Sequence, residues 1–313
     1  MTAGWVAGTV RGRALLHRSI GLVGARAIAE AESWPAARGE LGTTPYGVHL
    51  PDDADRVAAH RTAVTATLWH LRVLAGWLPP GATGLARLAA GPFEIANVEL
   101  RIARLSGAPD DTARPIEPLP LASLAVAWPR VAIATSADQV RASLSRSVWG
   151  DPGGTDASAM ALGLRVGWAR RLQRASPLAR PWALGMLGVL IAREQFAFQR
   201  PIGEITAHEL DRALGRRWRT ASTLAELRER LPEPAVWALA GIDDPSSLWR
   251  AELAVLRRVV ADAEPIVRSS RYGRDTMVAV LALLLVDLWR VSAAIEAAGR
   301  GASRTGVLDA DAA

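Results

Sequence analysis

The chain has 313 residues, half of them hydrophobic and 22% charged, which is ample apolar material for about two domains or one large helical body. All 37 basic residues are Arg, and they face 31 acids for a net charge of +6, so the pI near 11 reflects arginine's intrinsic pKa rather than a large cationic excess. Cys is absent, which excludes disulfides, thiolate metal sites and a cysteine nucleophile. Ala, Leu and Arg dominate while Tyr and Phe number only two and three, a composition that favours helix and predicts an all-α protein. Arg alternates with acids over most of the length instead of clustering on one face, so nucleic acid is not an expected partner.

Val6 to Glu32 reads as largely helical, followed by a loop over Gly39 to Tyr46. Pro51 is expected to open the next helix, with Asp52, Asp53 and Asp55 in its first turn, where carboxylates favour the positive end of the helix dipole. Val57, Val64, Leu68, Leu71 and Leu74 fall on one face of that helix, and Leu78-Pro79-Pro80-Gly81 stops it. Pro92 opens a helix to about Ser106. Ser136 with Gln139, Thr206 with Glu209 and Thr223 with Glu226 have capping-box spacing. Asp244-Pro245 starts a helix through about Val267, and Asp275 to Ala298 is the last strong one, followed by Gly299-Arg300-Gly301 and a tail over 303–313 expected to be flexible. The apolar runs Pro181–Ala192 and Thr276–Val286 are shorter than the roughly 20 residues that span a bilayer, and Met1–Arg13 lacks a secretory apolar block. A soluble, intracellular chain is therefore expected.

Three stretches, 93–107, 189–203 and 285–299, follow one another at equal intervals, and each finishes on Gly. Without gaps, the first two share Ile95/Ile191, Ala96/Ala192, Arg104/Arg200 and Gly107/Gly203. This divides the chain into helical repeats at 1–107, 108–203 and 204–302, each the size of a small domain. Units of that kind set around a ring would enclose a socket. The competing account is coincidence, since helices commonly end at Gly and the chain holds 27 of them.

Motifs for chemistry are few. Without Lys there is no P-loop, and neither a G-x-S-x-G elbow nor HExxH occurs. His17, His49, His60, His70 and His208 lack i,i+4 pairing, so no metal and no cofactor is expected. Asp52-Asp53-Ala54-Asp55, Asp110-Asp111 and Asp243-Asp244 could hold magnesium for an isoprenoid diphosphate, but their place beside prolines at helix starts favours a dipole role. Arg170-Arg171 with Arg174, and Arg216-Arg217-Trp218-Arg219, read as solvated faces in preference to phosphate-tracking surfaces. Most of the twelve Trp, including Trp69, Trp77, Trp168 and Trp289, read as core.

The helix over Val10-Arg11-Gly12-Arg13-Ala14-Leu15-Leu16, followed by Leu41-Gly42-Thr43-Thr44-Pro45-Tyr46-Gly47, resembles the R-x-R and L-x-x-T-x-Y segments of the C subunit of V/A-type rotary ATPases, the family of eukaryotic subunit d. Phe93-Glu94-Ile95-Ala96-Asn97-Val98 with Arg101 is similar to that family's acid-x-x-Asn segment. Glu252, Tyr272-Gly273 and the helix from Val280, with Asp287 at its internal acid, resemble the closing region. Departures are Arg290 where the family often has Asn, no acid-x-x-Asn in the middle repeat, and the missing Lys. The resemblance implies a funnel of three related helical subdomains in pseudo-threefold arrangement. It implies a non-catalytic subunit at the inner face of the plasma membrane, coupling the central rotor stalk subunits to the membrane proteolipid ring for ion-transport-linked ATP synthesis or hydrolysis. Glu94, Arg101, Arg104 and Arg200 are the expected partner-interface residues, with intramolecular pairing as the alternative. An isoprenoid-diphosphate enzyme using the Asp pairs, and a helical adaptor unrelated to ATPases, are the other functional readings.

Overall fold

A computed structural model describes residues 3–107, 117–298 and 308. Among them the chain is all-α, with no strand. The helices are α1 (Ala3–Leu16), α2 (Gly21–Ala29), α3 (Trp34–Gly42), α4 (Arg56–Trp77), α5 (Thr83–Ala89), α6 (Gly91–Leu105), α7 (Trp128–Val131) and α8 (Ala137–Ser145). They continue as α9 (Ala157–Ala175), α10 (Arg180–Ala192), α11 (Glu204–Leu214), α12 (Leu224–Arg230), α13 (Glu233–Val236), α14 (Leu248–Arg268) and α15 (Arg274–Ala297). Asp110-Asp111, Gly299-Arg300-Gly301 and the 303–313 tail apart from Leu308 lie outside the described residues.

The chain forms two compact units, one from Met1–Ala89 with Leu256–Ala313 and the other from Ala90–Val255. These boundaries do not coincide with 107/108 and 203/204, because the first and last helices of the chain pack into the same unit, α1 against α15.

In the first unit α15 is the core helix, in contact with α1, α2, α4 and α5. It is apolar nearly all round, as a helix enclosed by others must be, and Met277, Ala279, Val280, Val291, Ala294 and Ile295 are sealed from solvent. Its length and composition also meet the requirement for crossing a membrane, which the uncharged run Thr276–Val286 alone did not; the helix extends past Asp287, whose carboxylate is hydrogen-bonded inside the unit. α4 buries Ala59, Ala63, Leu68, Leu71 and Leu74. Val57 is exposed instead of joining that face, because the helix begins at Arg56 and Val57 lies in its first turn, turned away from the buried Ala59 and Ala63. Asp55 is the N-cap, accepting from the Ala58 N–H, while Pro51 to Ala54 form a separate turn. Asp52 and Asp53 therefore precede the helix.

The second unit has two apolar clusters. One joins Ile95, Val98 and Ile102 of α6 to Val131, Val140, Leu144, Met160 and Leu164. The other gathers α9, α10 and α11 with Trp218, Leu227 and Leu239. Each fully buried Leu or Ile contributes about 1.5–3 kcal/mol, so these clusters determine which helix faces turn inward. Ser136 and Thr223 cap α8 and α12 as the spacing predicts. Thr206 does not cap a helix: α11 already starts at Glu204 after Gly203, and Thr206 is buried within it. Gly203 thus precedes a helix instead of ending one, and α10 gives way at Arg193–Ala197 to a π turn, so the 189–203 stretch is not a continuous helix. Trp69 and Trp77 are exposed, not core.

Candidate functional site

Two buried carboxylates organise the two units in the same way. In the second unit Glu94, in the first turn of α6, is 1% exposed. Its Oε1 accepts the backbone N–H groups of Val126, Ala127 and Trp128 at 2.9, 2.7 and 2.7 Å, and its Oε2 accepts the Trp149 indole Nε1–H at 3.0 Å. Four donors converge on one side chain, the environment of an acceptor-only carboxylate.

In the first unit Asp287, in the body of α15, is 3% exposed. It accepts the N–H groups of Ile20 at 3.1 Å and Gly21 at 2.8 Å, where α2 begins, and the Tyr46 hydroxyl at 2.6 Å. A helix N-terminus presents unpaired N–H groups and a positive dipole end, so a carboxylate there satisfies both. Burial, then the Asp287 charge, raises the Tyr46 phenol well above its ordinary range, so it remains a neutral donor.

The chain leading to each aromatic repeats as well. Ser33 caps α3 and Ser136 caps α8. Leu41 and Leu144, near the ends of these helices, are fully buried. The Thr44 hydroxyl donates to the Leu41 carbonyl at 2.7 Å and accepts from the Tyr46 N–H at 3.2 Å. Ser147 does the same between the Leu144 carbonyl at 2.7 Å and the Trp149 N–H at 3.1 Å. These turns aim Tyr46 and Trp149 at their acids. The sequence signal is L-x-x-[ST]-x-aromatic-Gly, at Leu41–Gly47 and again at Leu144–Gly150. Only the first copy stands out in the sequence, because Trp in place of Tyr and Ser in place of Thr hide the second.

The segment from α10 to α13 has neither a buried acid of this kind nor a further copy of that turn among the described residues. Thr223 caps α12 by accepting from the Glu226 N–H, and α12 leads to Leu231. Trp237 then packs so closely on α10 that a Cβ at Gly185 would lie 2.6 Å from its ring, while its Nε1–H donates to the Pro234 carbonyl at 2.8 Å. By these hydrogen bonds Glu94 corresponds to Asp287. The ungapped alignment set Ile95 opposite Asp287, one residue out of step.

Of the four predicted interface residues, Glu94 is enclosed within its own unit. Arg101 lies two turns further along α6, and its Nε and Nη2 donate to the Ala134 carbonyl at 3.1 and 2.5 Å. Between them Asn97 pairs with the backbone of Leu119, donating at 3.0 Å and accepting at 2.7 Å. These side chains of α6 are thus directed at the segment over residues 119–134, which includes α7. Arg104 is half-buried in the last turn of α6. Arg200 stands apart from this group: it bonds Ser158, pairs with Glu194 at 3.2 Å and lies 4.3 Å above the Phe198 ring.

Three of the acids considered for a diphosphate, Asp55, Asp243 and Asp244, are engaged elsewhere, while Asp52 and Asp53 lie in the turn before α4. Asp55 caps α4, Asp244 accepts from the backbone and hydroxyl of Ser246, and Asp243 pairs with Arg228 at 3.3 Å. Among the described residues no three of His, Asp or Glu stand together as a metal site would require. No family model and no curated protein matches the chain.

Proposed function

We propose that this chain is the non-catalytic coupling subunit of a V/A-type rotary ATPase, joining the central rotor stalk to the membrane proteolipid ring on the cytoplasmic side of the plasma membrane. The observation that carries this reading is a coincidence of roles. Tyr46, Glu94, Asn97 and Asp287, which bear the resemblance to the family, are also residues whose hydrogen bonds tie α6 and α15 to other segments of their own units. In this reading the two capped-acid modules and the α10–α13 segment, which lacks such an acid, are the three related subdomains of a pseudo-threefold funnel.

The proposed task is mechanical. Torque is transmitted without loss only by a body whose helices cannot slide over one another. A carboxylate that accepts two or three backbone N–H groups fixes a helix end in both position and orientation, more firmly than apolar packing, which is non-directional. Asp55, Asp243 and Asp244, three of the Asp residues that an isoprenoid-diphosphate enzyme would draw on, serve as caps and an ion-pair partner, which supports the mechanical reading over the enzymatic one.

The test is affinity purification of the tagged full-length chain from the membranes of its own organism. Recovery of proteolipid ring, stalk and nucleotide-binding subunits in stoichiometric amounts is expected. Recovery with none of them, or with only cytosolic proteins unrelated to an ATPase, overturns the proposal and leaves the adaptor reading.

A further inference from the structure

The outward side of α4 carries a groove of about 760 Å³ in the first unit, closed on its other side by the loop over residues 45–51. Of the residues used above for coupling, only Tyr46 lines it. Its walls combine two properties that a bare solvated helix face does not. Trp69 is 58% exposed and Val48 62%, a large aromatic and a branched aliphatic side chain left facing water across one trough. Between them Ala58, Thr62 and Ala66 recur every four residues, so that stretch of α4 is shallow enough for another backbone to approach closely.

Charge is the second property. Arg18, Arg61 and Arg72 border the groove together with His49 and His70, and no Asp or Glu is found among the described residues that line it. Arg72 lies 5.5 Å over the Trp69 ring, which holds cation and apolar surface side by side. At the Arg18 end of the groove, burial, then Arg18 and Arg11 (the latter outside the lining), lowers the His70 imidazole below its ordinary pKa.

We propose that this groove is a docking site for an acidic amphipathic helix of a protein partner. Apolar side chains of that helix, spaced i, i+3/i+4, i+7, seat between Trp69 and Val48, and Asp or Glu on its flanks face Arg18, Arg61 and Arg72. Residues 58 to 72 of α4 extend about 21 Å, the length of a partner helix of about 14 residues. A concave, mostly carbon-lined trough with guanidinium groups at its rim matches a helix better than a bilayer. A flat anionic surface would reach the rim cations while leaving the trough unfilled. The proposal is independent of the rotary reading, because it rests only on the shape and charge of this groove.

The test uses the full-length chain and fluorescein-labelled synthetic helices of about 15 residues, read by anisotropy at low and moderate salt. The probe has Leu at i, i+3/i+4, i+7 and Glu on both flanks; one control replaces every Glu by Gln, and another keeps the composition but scrambles the Leu spacing. Saturable binding of the probe, at least about tenfold tighter than either control and weakened by salt, is expected. Trp69→Ala should weaken it about tenfold. The double substitution Arg61→Glu with Arg72→Glu should abolish it and should restore binding to a probe carrying Lys in place of Glu. Circular dichroism melts identify any variant that fails to fold, and the exposed Trp69→Ala carries the test if the double variant does. Equal binding of the probe and its Gln control, or binding unaffected by Trp69→Ala, overturns the proposal. Co-sedimentation with phosphatidylserine-containing vesicles that depends on Trp69, without probe binding, overturns it in favour of a membrane surface.

Discussion

Replacing Glu94 by Ala removes the acceptor of four hydrogen bonds at one stroke. The Ala127 N–H is fully buried and Trp149 nearly so, so water cannot readily replace the lost carboxylate at either. A bond to a charged acceptor is worth about 1.5–3 kcal/mol, and a buried donor left alone costs about 1–3 kcal/mol. Part of the Val126 and Trp128 loss is recovered by solvation, which leaves about 3–5 kcal/mol for Glu94→Ala. Glu94→Gln keeps an acceptor oxygen for the three backbone donors but turns an NH2 toward the indole N–H, so its cost is about 1–3 kcal/mol. For a unit of this size, the Ala variant should lower the melting temperature by about 10 °C in far-UV circular dichroism. Trp149→Phe completes a cycle, and its effect should largely vanish in the Glu94→Gln background, because the bond it removes is already lost there. A Glu94→Ala variant melting within about 1 °C of the parent protein would show that the carboxylate does not hold α7 and α8 in place.

Tyr46→Phe should cost about 1–3 kcal/mol, since Asp287 keeps its two backbone donors but loses the hydroxyl. Because the folded phenol pKa is raised above the unfolded one, its contribution is full below about pH 10 and is lost as pH rises beyond it; the Phe variant should show a flatter alkaline limb in urea midpoints, and equal limbs would contradict the burial of the hydroxyl. His70 has the opposite sign: its folded pKa is lowered, so stability is full above about pH 6.5 and falls as the unfolded chain takes up the proton first. His70→Gln should lose less stability than the parent protein between about pH 7.5 and 5.5, and identical slopes would rule this out. Gly47→Ala should destabilise more than Gly150→Ala. A Cβ at 47 would lie 2.2 Å from the Leu41 carbonyl oxygen, whereas at 150 it meets open space and costs only the strain of φ +75°, about 1–2 kcal/mol. Urea titration of the two variants checks the order, and a reversed order would refute it.

Helix positions were legible in the sequence wherever a local signal exists. Ser136 and Thr223 accept the N–H three residues on, Pro79 and Pro80 follow the end of α4, and Pro92 stands in the first turn of α6, each within the reach of one turn of chain. The misreadings have the same origin. Asp52, Asp53 and Thr206 carry the residue types of helix starts, yet Asp55 and Gly203 hold those positions, because the choice among neighbouring caps depends on which turn can be buried. The Trp residues show the limit most plainly: Trp69 and Trp182 both lie on apolar-looking helices, one open to water and the other sealed. Periodicity identifies a face of a helix but not the neighbour that covers it.

The candidate site divides along the same line. The acids, the aromatics and the L-x-x-[ST]-x-aromatic-Gly turns are all present in the sequence, and their types already call for buried hydrogen bonds. That Trp149 meets Glu94 and Tyr46 meets Asp287 could not be read there, since these partners are 55 and 241 residues apart and a carboxylate has no preference for a donor at any particular distance along the chain. Composition and local spacing by themselves determined an all-helical chain and most of its helix boundaries, because helix hydrogen bonds close within four residues. Only the tertiary structure decided that the first and last helices share a unit, that Glu94 and Asn97 of α6 turn inward, and that one side of α4 is left uncovered, because those outcomes depend on which surfaces meet.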